Sequence, residues 1–279
     1  MKKVEWKMLL PFAITMPAIL IGAWTMGQNQ ISMGIWLQNI IFGLVFACVS
    51  AVVIYKKRII KENDNILYLA LGALLLTFLG RGSDGVHRWF GIAGININVA
   101  MVILPIVIIQ LYKTSEKKKW LLFNIMIMIY VAVLGIQPDA SQLTAFALSM
   151  LIVVNTKENP IIWRAISNVV LIVAMVLVWV YLDPLEPVMH VDKIVNLLVA
   201  QGTVPALLGI MSLAILPVPF LFFTPKNENK TAKGLGVYFA VVILSTVVGN
   251  FPVPLMGYGF SSMLGYFTAI TWYGIKKSN

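Results

Sequence analysis

Residues 251–264 read Phe251-Pro252-Val253-Pro254-Leu255-Met256-Gly257-Tyr258-Gly259-Phe260-Ser261-Ser262-Met263-Leu264 and join two apolar runs near the C-terminus. Two prolines remove backbone donors and two glycines allow positive φ, so the segment is not one continuous helix. In lipid, broken backbone must find its partners inside the protein, because hydrocarbon offers none. The string is therefore expected at a cavity wall within a helical bundle.

The rest of the chain supplies that bundle. Of 279 residues, 59% are hydrophobic and 11% charged, with mean hydropathy +0.88. This is too apolar for a soluble domain with a polar exterior and fits an all-α polytopic membrane protein. Apolar runs near membrane length predict about ten transmembrane helices, at residues 8–26, 33–54, 66–80, 96–112, 120–136, 142–155, 161–181, 203–223, 235–251 and 259–275. No linker or convincing repeat divides the chain, so a single integral membrane domain, 1–279, is expected.

The net charge of +10 is not a nucleic-acid footprint. Of the 21 Lys and Arg, 18 fall in alternate short segments on one predicted side, leaving Arg81, Arg88 and Lys193 for the other. That bias puts both termini in the cytoplasm and makes a multi-pass protein whose basic loops meet anionic membrane lipid. The N-terminal Met1-Lys2-Lys3 and the apolar run after it are expected to be an uncleaved first helix. Cys48 stands alone, so no intrachain disulfide forms.

The external side carries both histidines and five of the eleven acidic residues. Between helices three and four lies Arg81-Gly82-Ser83-Asp84-Gly85-Val86-His87-Arg88-Trp89. Arginine beside tryptophan at a membrane surface suits a phosphate or diphosphate head group, while an interfacial anchor with an Arg to Asp84 pair accounts for the same residues. Gln137-Pro138-Asp139 follows helix five, where Asp139 either caps helix six or offers a carboxylate at the mouth of the bundle. Asp183, Glu186, His190 and Asp192 cluster between helices seven and eight. A carboxylate there, sharing a proton with His190, suits a general base toward a sugar hydroxyl, and a short interfacial helix over 194–200, capped near Asp192, is the structural alternative. No cofactor is expected, with room left for a divalent cation, and no metal-ligand spacing or phosphate-binding loop occurs.

Three of these strings resemble the SEDS family, membrane proteins of the RodA and FtsW type. Residues 251–264 look like the family's L-P-L-P-F-I-S-Y-G-G-S-S-L-L before its last helix. Gly85-Val86-His87-Arg88-Trp89-Phe90 resembles its N-G-A-x-R-W stretch, and Gln137-Pro138-Asp139 its Q-P-D turn. The three matches keep their order and predicted side, and the ten-helix count agrees.

The resemblance implies a SEDS-like bundle that polymerises a polyprenyl diphosphate-linked glycan outside the bacterial cytoplasmic membrane. It also implies a class B penicillin-binding protein or other envelope protein as partner, in cell-wall synthesis for division or shape. By position, the acceptor-activating carboxylate would be Asp183, Glu186 or Asp192, with Asp192 favoured beside His190. Arg81 and Arg88 would meet the diphosphate, with Asp84, His87, Trp89 and His190 as further substrate contacts. Gln137, Asp139, Tyr258, Ser261 and Ser262 would line the cavity. The chain departs from the family in a short loop between helices seven and eight and in Ile95-Asn96-Ile97-Asn98, where a P-S-E string is usual. Those departures keep a second expectation open: a noncatalytic relative that binds or moves a lipid-linked precursor or scaffolds an envelope complex.

Overall fold

The computed structural model describes residues 6–57, 63–80, 82, 85–92, 95–182 and 185–278. Apolar runs become helices here because a helix satisfies its own backbone where water is missing. A 3-10 turn, Trp6–Leu9, leads into α1 (Leu10–Gln28), followed by α2 (Met33–Tyr55) and α3 (Asn65–Leu76), which a second 3-10 turn extends to Leu79. Then come α4 (Val99–Glu116), α5 (Trp120–Ile136), α6 (Ala140–Val154) and α7 (Ile161–Val180). The C-terminal part holds α8 (Ile194–Gln201), α9 (Thr203–Ile215), α10 (Val218–Phe222), α11 (Asn229–Val248) and α12 (Phe260–Ser278).

With α9 and α10 counted as one broken span and α8 as part of an external loop, the described residues form ten spans. The fold is an all-α polytopic membrane protein. Among the described residues, five helices are long and apolar enough to cross a bilayer, and shorter apolar helices lie between them. α12 runs against both α2 and α4, α11 lies on α6, and α1 meets α2 and α9. α7 turns Ile162, Val169, Val173 and Val176 outward as a lipid-facing stripe.

Three boundaries differ from the sequence expectation. Residues 96–98 are not helical: β1 (Trp89–Ile92) and β2 (Ile95–Asn98) pair antiparallel, with Trp89 opposite Asn98 and Ile92 opposite Ile95. The alternation of Ile-Asn-Ile-Asn is a strand period, and α4 starts only where Asn98 caps it by accepting from the Met101 N–H. The eighth span breaks at Leu216-Pro217, since Pro217 and Pro219 cannot continue the backbone ladder. The freed Leu216 carbonyl accepts from the Tyr266 hydroxyl at 2.7 Å, an internal partner of the kind lipid demands. The ninth span ends at Val248, which leaves Phe251 in the connector.

Candidate functional site

The string at 251–264 is packed rather than open. Phe251, Val253, Leu255 and Met256 are buried, and the backbone finds its partners in two places. The Val253 N–H donates to the Val191 carbonyl at 3.0 Å and the Tyr258 N–H to the His190 carbonyl at 3.0 Å, so the string holds the loop before α8. From α2, the buried Asn39 amide donates to the Gly257 carbonyl at 2.9 Å and its oxygen accepts from the Gly259 N–H at 3.3 Å. Two glycines permit this approach: a Cβ at Gly257 would lie 2.3 Å from the Val191 oxygen, and one at Gly22 on α1 would lie 2.1 Å from the Met256 oxygen. Gly259, at φ +136°, makes the turn into α12.

Immediately beside this junction, a groove of about 540 Å³ runs between α8, α9, α10 and α11. Leu213, Val253 and Asp192 form its buried wall, while Ile210, Leu244, Val247 and Phe222 stand exposed at its lateral mouth. Its polar groups gather at the external end: Asp192, Lys193, Asn196 and Thr246. From Val247 to Ala240 the groove follows about 10 Å of α11 at the helical rise. An apolar slot open to lipid, with charge at its water-facing end, suits an amphipathic ligand that enters from the bilayer.

Asp192 is held in place by the loop itself. Its Oδ2 accepts from the Val188 N–H at 2.8 Å, and its own N–H donates to the Val188 carbonyl at 2.7 Å. The short helix expected over 194–200 is present as α8, and its N-cap is Lys193, next to Asp192, with no side-chain cap bond. His190 sits two residues away, its ring 6.1 Å from that of Tyr258. Burial pushes the imidazole below its ordinary pKa, with the Asp192 charge pulling the other way, which favours the neutral ring.

The second polar assembly is closed. Arg88 and Asp139 are both buried, with Arg88 Nε 3.6 Å from Asp139 Oδ2. The guanidinium also donates to the Pro138 carbonyl and lies 5.6 Å from the centre of the Phe251 ring. Asp139 Oδ1 caps α6 through the Gln142 N–H at 3.2 Å. Gln137 donates to Thr77 Oγ1 at 2.7 Å and to the Leu74 carbonyl at 3.2 Å, tying the turn to α3. These contacts join α3, the residue just before β1, the turn before α6 and the string.

The bundle matches the crystal structure of the Thermus thermophilus rod shape determining protein RodA with a TM-score of 0.67 at 17% identity, covering 98% of this chain and 97% of that one. An Asp-to-Ala variant of the same protein matches with a TM-score of 0.67 at 16% identity over 100% and 99%. The chain has the RodA fold. No family model matches it, and no curated protein matches it by sequence.

Within this RodA-like bundle the expected site residues separate. Asp192 reaches the groove, and His190 lies in the same loop with its ring beside Tyr258. Glu186 is exposed on the loop, and Arg81, Asp84 and Asp183 lie outside the described residues. Arg88, expected at a diphosphate, is instead buried against Asp139. Gln137 and Asp139 are buried in the same clasp instead of lining the groove. Trp89 pairs in β1, and the His87 ring lies 5.6 Å from Phe78. Ser261 accepts from the Asn98 N–H at 3.0 Å, Ser262 donates to the Gly259 carbonyl at 3.5 Å, and the Tyr258 hydroxyl donates to Gln38 at 3.0 Å. None of these three lines the groove.

Two contributors were not singled out beforehand. Asn39 follows Gln38 in an otherwise apolar span, and two adjacent amides at that depth were its signal. Lys193 was counted only as an external charge, though it lines the groove beside Asp192.

Proposed function

We propose that this chain is a SEDS-type protein of bacterial cell-envelope synthesis, set in the cytoplasmic membrane, that acts on a polyprenyl diphosphate-linked glycan at its outer face. The observation that carries the reading is the lateral apolar groove whose polar end holds Asp192. The polyprenyl chain lies in the groove and the glycan reaches the external water. The Asp192 carboxylate takes the proton of an acceptor sugar hydroxyl as that oxygen bonds to the anomeric carbon of the donor sugar. The bond from that carbon to the diphosphate oxygen breaks, and the polyprenyl diphosphate leaves with the electron pair. No nucleotide takes part, and a class B penicillin-binding protein is the partner this chemistry calls for.

A second reading keeps the groove and drops the transfer step: a noncatalytic relative that binds or moves the lipid-linked precursor. The twelve residues between α7 and Lys193 favour it, since they leave little external chain to enclose an acceptor glycan. Purified protein in nanodiscs, given labelled lipid II with and without the partner, decides between them. Glycan polymer in either sample supports transfer. Binding without polymer removes transfer and leaves the second reading.

A further inference from the structure

We infer that Lys193 is the group that selects a diphosphate head on the lipid held in the groove, an inference that rests on the functional reading above. Among described residues, the external cations are Arg88 and Lys193, and Arg88 is buried against Asp139 and Phe251. Lys193 is half-buried and lines the groove end together with Asp192 and Asn196. Its Nζ donates to the Gly249 carbonyl, the C-cap of α11, at 3.0 Å. An ammonium carries three N–H donors, so this bond fixes the amine in position and uses one of them.

The need for a cation follows from Asp192. A diphosphate brought beside a carboxylate meets like charge at the groove end, and the adjacent ammonium offsets that repulsion. During glycan transfer the same ammonium would face the negative charge growing on the departing diphosphate, where a fixed cation is most effective. The exposed apolar mouth at Ile210, Leu244 and Val247 admits an anion that carries a hydrocarbon tail and gives a soluble anion no comparable surface. Lys193 acts here as a specificity residue, separate from the proton transfer assigned to Asp192.

The test measures binding of three fluorescent short-chain probes to the intact protein in nanodiscs: a polyprenyl diphosphate, its monophosphate and its alcohol. The wild type is expected to prefer the diphosphate over the alcohol by at least about tenfold, with the monophosphate between. Lys193→Met should lower diphosphate affinity about tenfold and leave the alcohol unchanged, and Lys193→Arg should restore the preference. A Lys193→Met protein that keeps its diphosphate preference overturns the inference while leaving the groove reading intact. Displacement of the diphosphate by excess phosphatidylglycerol also overturns it, because the cation would then serve any anionic lipid. Failure of the wild type to bind all three probes removes the functional reading, and the inference with it.

Discussion

Two couples of basic and acidic residues stand at the external ends of the helices, Arg88 with Asp139 and Lys193 with Asp192, and the second borders a cavity. By residue type they are equivalent. By surroundings they are opposites: the first is packed with the turn before α6, the end of α3 and the Phe251 ring, and the second forms the end wall of a lipid-facing groove. An enclosed couple stabilises one arrangement of the backbone, whereas a couple beside space has room for a ligand. In this fold, the space beside a charge separates structural from functional candidates better than the charge does.

The strongest way to break that contrast is to remove the acid at the groove. Asp192→Asn should lower glycan transfer about 1,000-fold, about 4 kcal/mol in barrier, as expected for loss of a general base. Its melting temperature should stay within a few degrees of wild type. Glu186→Gln, on the exposed part of the same loop, should change neither quantity, and a comparable loss there would move the base away from the groove.

Arg88→Met tests the enclosed couple. It leaves the buried Asp139 carboxylate without its cation, which costs about 3 kcal/mol and shows as a large drop in melting temperature in detergent. Where the variant remains folded, polyprenyl diphosphate should bind it as it binds the wild type. Selective loss of diphosphate binding with unchanged melting would return Arg88 to the site.

That reversal of Arg88 marks where sequence reading stops. The ten spans were legible because lipid forces an apolar run to satisfy its own backbone, so hydropathy and secondary structure coincide. The break at Pro217 and Pro219 and the strand period of Ile95-Asn96-Ile97-Asn98 were both written in the chain, but apolar neighbours merged them into the adjoining spans. The destination of Arg88 was not written locally, because it depends on Pro138 and Asp139, some fifty positions away. Asp192 could be favoured from its neighbour His190, yet the groove it borders is made with α9, α10 and α11, whose packing no local pattern encodes.

The cytoplasmic face supplies an independent check on the same contrast. Glu228, just before α11, accepts from Lys113 at 2.7 Å and lies 2.7 Å from Lys276 Nζ, joining α4, α11 and α12 away from the groove. Burial pushes its carboxyl up, but the hydrogen bonds and charges of Lys113 and Lys276 outweigh that and hold it below the ordinary value of 4.5. A folded-state pKa below the unfolded one gives stability that is complete above the ordinary Glu range and is lost as pH falls through it toward the folded value. Glu228→Gln should cost about 2 kcal/mol at pH 7. The gap to wild type should close as pH drops below about 4, and probe binding at pH 7 should be unaffected. A gap that is constant from pH 7 to 3 would mean that the carboxylate charge contributes nothing.

The smallest effect is expected where the two regions meet. Tyr258 belongs to the string, and it touches the Asp192 loop through its backbone N–H to the His190 carbonyl, while its hydroxyl turns to Gln38 on α2. Tyr258→Phe keeps the backbone bond and the ring beside His190 and deletes one partly exposed side-chain hydrogen bond, worth about 0.5 kcal/mol. Transfer should then stay within about twofold of wild type, since the main chain would still carry the loop. A tenfold loss of transfer with unchanged melting would show that the phenol orients His190 or the glycan directly. The boundary between scaffold and site would then run through the string itself, with its side chains as well as its backbone on the functional side.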